Sequence, residues 1–351
     1  MNRLRLKPAN WIGLFTRPLL AAAVLLALSS VMLSSAQPRT CLVPSADFST
    51  IDSALDDSTS QSIRIAAGVY NESLFITRNV TLVGAGQAAT VIDPQRNNVA
   101  IKAIDVAVHV SHLTIQNGSG GRPPASSEGP HRSGITGGIE NAAAATRGFG
   151  RVVVEHVTLR NNEGDLSGAV FNAGEMILSD VIITENTSRG ANGGGIFNLG
   201  NMTLTNVTIS QNSARIGGGI HVGGDRQNHA TLTMTNVVIS DNVADLGGGI
   251  NISPQSTVSF DNVTVRNNSA GQGGGILNDN AMTTLAGSTI RNNRASKQGA
   301  GLYNANGRSI ELNGVMVQNN SAPEGGGAFN AGTMIGQDTT FQANAAFSGG
   351  G

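Results

Sequence analysis

Side chains able to do chemistry are sparse in this chain. Charged residues make up 13% of its 351 residues, with six His and a single Cys, Cys41. Hydrolysis of a glycosidic bond needs two carboxylates about 5 to 10 Å apart, and a polyuronate lyase needs clustered acids for calcium beside a base. Two acids have a patterned placement. NAGEMILSDVIITEN aligns without a gap on NAGTMIGQDTTFQAN, which makes Asp180 and Asp338 one position of a repeat. Six repeats separate them, and the position is otherwise filled by Asn, Gly and His, so they do not flank one bond. His112 and His156 share that position too, and a metal would need a third ligand that their spacing does not supply. These residues read as structural, and neither a cofactor nor a metal is expected.

What positions them is the repeat itself. The stretch GGGIFNLGNMTLTNVTISQNSARIGGGIHVGG, residues 193–224, holds two Gly triplets, and the phrase returns as LGGGINIS, QGGGILND, QGAGLYNA and EGGGAFNA. The Asn that closes ITEN, ISQN, ISDN, VRNN, IRNN, VQNN and FQAN falls at 186, 212, 242, 268, 293, 320 and 344, at spacings of 26, 30, 26, 25, 27 and 24. Such a unit is too short for a helix pair and fits one coil of a strand solenoid. The abundance of Gly, Asn, Thr, Ser, Val and Ile suits strands and tight turns.

Within a coil, apolar residues alternate as half-buried strands require. Met202 and Leu204 alternate, Asn206 interrupts, and Val207 and Ile209 resume in the opposite phase, so a corner is expected at Asn206. Its equivalents are Asp180, Asn236, Asn262, Gly287, Gly314 and Asp338, and upstream Asn79, His112 and His156. A third strand follows the glycines. Its first residue is inward: Val170, Ile196, Ile220, Ile250, Ile276, Leu302, Ala328. Two residues on come Asn172, Asn198, Val222, Ile252, Asn278, Asn304 and Asn330, an inward column in which each Asn survives burial by bonding to the next. Three short strands per coil and about ten coils predict an all-β, single-stranded, right-handed parallel β-helix roughly 50 Å long.

Between the two inward columns lies an outward one: Phe171, Phe197, His221, Asn251, Leu277, Tyr303 and Phe329. Self-stacking accounts for aromatic residues there. The sharper alternative is a contact stripe, which makes Phe171, Phe197, His221, Tyr303 and Phe329 the candidate binding residues for a glycan or a surface protein.

The organisation expected along the chain has three parts. Residues 1–36 form a signal peptide, with four basic residues, an apolar run from about Leu19 to Leu33, and small residues at Ser34, Ser35 and Ala36. That run is shorter than the roughly 20 residues of a membrane span. Residues 37–60 carry a leader and a short capping helix, in which Phe48, Ile51 and Leu55 are helically spaced. Residues 61–351 form the β-helix, interrupted by a long polar loop at 117–134. The closing FSGGG stops where a strand should begin, so an incomplete last coil with end-to-end self-association is expected. Removing the leader leaves 18 basic against 23 acidic residues, a formal charge of −5, and no basic stripe for nucleic acid.

The pairing of GGGI or GGAF with a following IxxN or FxxN resembles the repeats of chlamydial polymorphic outer-membrane proteins. Gly326-Gly327-Ala328-Phe329 and Phe341-Gln342-Ala343-Asn344 carry it best, and the resemblance spans 168–351. It implies a surface β-helix with adhesive function. The opening DFSTIDSALDDSTSQSIRIAAGVYNESLFITRNVTLVGAG looks like the first coils of pectinesterases and other pectin-lyase-fold proteins, with GVYNE in place of their GxYxE. That resemblance implies an architectural role for the motif. The sequence therefore predicts an extracellular or cell-surface protein, an outer-membrane location included. It acts as a non-catalytic adhesion or binding scaffold, with a polysaccharide-active enzyme of the pectin lyase or pectinesterase type as the alternative.

Overall fold

The computed structural model describes residues 39–120, 135–142, 150–224, 229–279 and 282–348. The expected signal peptide and residues 121–134 of the polar loop lie outside the described residues.

Most strands are short because a residue with positive φ turns the chain beside them. One corner is the expected one: His112, His156, Asp180, Asn206, Asn236, Asn262, Gly287, Gly314 and Asp338 all have φ between 49° and 63°. Asn and Gly take this conformation at little cost. A second corner, which the pattern did not reveal, sits at Asn161, Glu185, Gln211, Asp241, Asn267, Asn292 and Asn319. The third is the opening Gly of the triplets, at Gly193, Gly217, Gly247, Gly273, Gly299 and Gly325. A complete coil is thus Ile196–Asn198, Asn201–Thr205 and Thr208–Ser210.

Every pairing between coils is parallel, and the strand that follows the glycines stacks ten deep, from Leu74–Ile76 to Ala328–Asn330. The protein is an all-β parallel solenoid, and its registers reproduce the expected columns: Val170 on Ile196, Ile196 on Ile220, Ile220 on Ile250. Met202, Leu204, Val207 and Ile209 are all buried. Each such side chain is worth about 1.5 to 3 kcal/mol of burial. One upstream assignment changes. Val80–Gly84 pairs with the first half of Ala107–Gln116, before the His112 corner, so Asn79 precedes that strand instead of turning it. The early coils differ enough in length to shift the phase by one strand.

Two ladders of buried amides run through the core. In the expected one, Nδ2 of Asn141, Asn172, Asn278 and Asn304 donates to Oδ1 of Asn172, Asn198, Asn304 and Asn330 at 2.7–2.8 Å. Val222 and Ile252 interrupt it, as an inward column permits. The other is continuous from Asn162 through Asn186, Asn212, Asn242, Asn268, Asn293 and Asn320 to Asn344, with Nδ2 to Oδ1 distances of 2.9–3.1 Å. These are the residues that gave the repeat its period.

At the N-terminal end, the cap is the helix Ile51–Asp56, which buries Ile51, Ala54 and Leu55, with Phe48 packed ahead of it. Thr50 and Ser53 form a capping box. The next coil grips both ends of the helix. Glu72 accepts the free N–H groups of Ile51 and Asp52 at 3.1 and 2.9 Å, and Arg78 donates to the carbonyls of Ala54, Leu55, Asp57 and Ser60. Tyr70 reaches the carbonyls of Val43 and Ala66. The GVYNE motif is therefore architectural: its Tyr and Glu fasten the cap to the first coils.

Candidate functional site

The outward column exists, in register from Phe171 to Phe329, but most of it is covered. Phe171 and Phe197 are each 7% exposed and His221 8%, which corrects the expectation of an open stripe. The turns before the later strands pack close beside the column: a Cβ on Gly247 would stand 2.8 Å from Cβ of Asn251, and one on Gly273 2.6 Å from Cβ of Leu277. The rings pack on one another under this cover. Phe171 and Phe197 meet edge to face with centroids 5.7 Å apart, and Phe197 and His221 are 5.0 Å apart. Tyr303 and Phe329, stacked at 5.1 Å and 12°, keep a half-buried edge in solvent.

His221 is held neutral. Burial pushes its pKa down from 6.5 to about 4. Its Nε2 lies 3.0 Å from Oγ of Ser253, whose hydroxyl donates to Oδ1 of Asn251 at 3.2 Å. That direction assigns the His proton to Nε2 and commits the Ser hydroxyl to Asn251, so the pair is a packing bond and not a nucleophile with its base. Upstream the same column continues through Glu140 and Lys102, which form an ion pair at 3.0 Å.

The corner residues come together only locally. The rings of His112 and His156 are 4.9 Å apart, and Nδ1 of His156 is 4.0 Å from Asp180. Asp180 in turn accepts from Nδ2 of Asn206 at 3.1 Å. Among the described residues, no three His, Cys, Asp or Glu side chains are grouped to hold a metal ion.

Sequence reasoning missed a groove of about 530 Å³ on the outer face of the early coils. Its floor is built by strand stacking, which sets Thr81 beside His109 beside Val153, and Ala107 beside Arg151 beside Glu175. Ser58, Gln61 and Asn79 add polar groups at its edge. An imidazole–carboxylate pair and an ion pair run along its side. Nε2 of His109 is 3.0 Å from Oε2 of Glu155, and Nε of Arg151 donates to Oε1 of Glu175 at 3.0 Å. All four side chains are between one third and about one half exposed, so they meet solvent and any ligand laid in the groove. The groove thus offers donors and acceptors suited to hydroxyl groups, a guanidinium, and an imidazole–carboxylate pair beside the outward methyls of Val153. A signal for it was present: outward positions of Arg151–Arg160 and Glu175–Ser179 carry charge, whereas those of Asn201–Thr205 and Ala230–Thr235 carry none.

No protein-family model matches this chain, and no curated protein matches it. Among solved structures, it is similar to a pectin methylesterase from Erwinia chrysanthemi at 13% identity and a TM-score of 0.38, covering 73% of this chain and 80% of that one. It is also similar to the A-module of a mannuronan C-5 epimerase from Azotobacter vinelandii, at 15% identity and a TM-score of 0.36, covering 84% and 94%. The catalytic domain of a GH87 α-1,3-glucanase is similar at 13% identity and a TM-score of 0.29, covering 89% of this chain and 69% of that one.

Proposed function

We propose that this chain is an exported β-helix that recognises a polysaccharide in the groove of Thr81, His109, Arg151 and Val153. The observation that carries the reading is the groove itself, with polar and charged side chains held at fixed intervals on a stacked sheet. A rigid sheet fixes the backbone from which such side chains project, which lowers the ordering cost at binding. Export is supported by the basic and apolar composition of residues 1–36. Among the described residues no helix is long and apolar enough to cross a membrane. Recognition without cleavage is the first reading, because the two carboxylates beside the groove are both paired: Glu155 with His109 and Glu175 with Arg151. On this reading the repeat coils are a scaffold of the adhesive kind.

A second reading, a polysaccharide-active enzyme, is favoured by one feature. His109 and Glu155 form a hydrogen-bonded imidazole–carboxylate pair open to solvent, which is how a general base is oriented. The two readings separate in one experiment. The purified chain is tested for binding to a panel of neutral and uronate polysaccharides, and the same polymers are analysed for shortened chains, released ester groups and altered uronates. Binding that is weakened by Arg151→Ala, with every polymer recovered unchanged, supports the scaffold. Turnover lost in His109→Ala supports the enzyme. Absence of both binding and turnover across the panel overturns the proposal.

A further inference from the structure

A second outer face has a different chemistry. Along Asn201–Thr205, Ala230–Thr235 and Ser256–Asp261 the outward positions include Thr203, Thr205, Thr231, Thr233, Thr235 and Thr257. Parallel pairing keeps them in register, Thr203 on Thr233 and Thr205 on Thr235, with Thr231 on Thr257, and no register shift interrupts the three strands. Neighbouring strands are about 4.8 Å apart and same-face residues about 6.7 Å apart along a strand, so the side chains form a two-dimensional net. Thr203, Thr233 and Thr257 are exposed and the other three half-buried. Two hydroxyls at the margin have partners: Thr231 donates to Oδ1 of Asn201 at 2.9 Å, and Oγ1 of Thr257 is 2.8 Å from Nε2 of His229.

We propose that this net binds ice. A single polymer chain reads one dimension, and the groove upstream serves that purpose with charge and hydrogen-bonding groups. A net with two fixed spacings matches a crystal face. Thr is suited to it because branching at Cβ restricts χ1, so methyl and hydroxyl positions repeat from coil to coil. Methyl groups order the water over them, hydroxyls anchor that water, and the paired backbone holds both to one lattice. Ordered water of that kind joins an ice surface without first being rearranged.

Strand propensity explains Thr at any one outward position. It does not explain why charge nearly vanishes over four successive coils, from Asn201–Thr205 to Met282–Ala286. Arg151 and Glu175 stand in the same columns ahead of the net and Glu311 stands beyond it, past the uncharged Met282–Ala286, whereas the net has Asp261 as its one charged side chain, at the end of the Thr205–Thr235 column beside the Asn262 corner. Charge would hold water in its own orientation and spoil the match. Within Asn201–Thr205, Ala230–Thr235 and Ser256–Asp261 no outward side chain is a ring for stacking on a sugar, since Phe260 points inward and is 1% exposed.

The test is nanolitre cryoscopy of the full chain, reading thermal hysteresis and the shape of a growing ice crystal. The expected result is hysteresis with faceted crystals for the unmodified chain. It should be lost in Thr203→Lys/Thr233→Lys and retained in Arg215→Ala, which alters an exposed side chain outside the net. Far-ultraviolet circular dichroism and the melting temperature confirm that the double variant folds, as its outward side chains allow. Round crystals without hysteresis for the unmodified chain overturn the proposal, as does hysteresis that survives the double substitution. Retention of the unmodified chain on crystalline cellulose without any effect on ice overturns it as well and makes the face a carbohydrate surface.

Discussion

Asn186 and Asn212 are joined twice: both the side-chain Nδ2 and the backbone N–H of Asn186 donate to Oδ1 of Asn212, at 2.9 and 3.0 Å. Asn212 repeats the arrangement toward Asn242, and its Nδ2 also donates to the carbonyl of Ile183. One amide therefore serves three coils at once. Asp in place of Asn212 keeps the acceptor but loses both side-chain donors and buries a charge. Asn212→Asp is expected to cost on the order of 3 kcal/mol, more at neutral than at acid pH, read from urea melts at both.

The triplet glycines and the corner glycines divide by a single substitution. A Cβ on Gly249 would lie 2.6 Å from the carbonyl oxygen of Gly275, so Gly249→Ala must push two coils apart. At Gly287, with φ of 53°, nothing lies within 4 Å of a new Cβ, and Asn fills the same corner at 236 and 262. Thermal melts should show Gly249→Ala strongly destabilised and Gly287→Asn within about 0.5 kcal/mol of the unmodified chain.

Buried His221 makes stability depend on pH in a defined window. Its folded pKa, about 4, lies below the unfolded value of 6.5, so the unfolded chain takes up the proton first. The contribution is whole above about pH 6.5 and declines as pH falls toward 4, by about 3 kcal/mol in full. In His221→Phe this part of the slope should be missing. Unfolding free energies measured between pH 4 and 7 that decline equally in both proteins would contradict the assignment.

The cap depends on Arg78, whose guanidinium binds four carbonyls around the end of the helix Ile51–Asp56. Arg78→Lys retains the charge but not the planar fork of donors. It should cost about 2 kcal/mol and raise proteolysis between residues 45 and 60 ahead of the later coils, as followed by limited digestion.

The fold was legible because the code of a solenoid is local. Asn206, the Gly triplets and the alternation of Met202 with Leu204 each declare a corner or a face without reference to distant residues. Asn172 and Asn198 announced a ladder because Val222 and Ile252 replaced Asn in the same column. The groove was hidden for the opposite reason. Thr81, His109 and Val153 come from coils of unequal length, separated by 28 and 44 residues, and only the pairing of Val80–Gly84 with Ala107–Gln116 makes them neighbours. Placing Asn79 at a corner moved that strand to the wrong part of its coil. The cover over Phe171 and Phe197 was hidden as well, because it depends on how closely neighbouring rings and turns pack over the column and not on which residues face out.

The groove is the centre of the functional account, and the most direct measurement is titration calorimetry of the intact chain with the polysaccharide that binds best in the panel, beside Arg151→Ala and Thr81→Val. Both changes are on the outer face and should leave the melting temperature unchanged. The account predicts saturable binding by the unmodified chain and a loss of about tenfold or more in affinity for Arg151→Ala, as expected when a charged hydrogen-bond donor is removed from a ligand. Binding unchanged in both variants, or abolished instead by Tyr303→Ala at the half-buried end of the aromatic column, would contradict it.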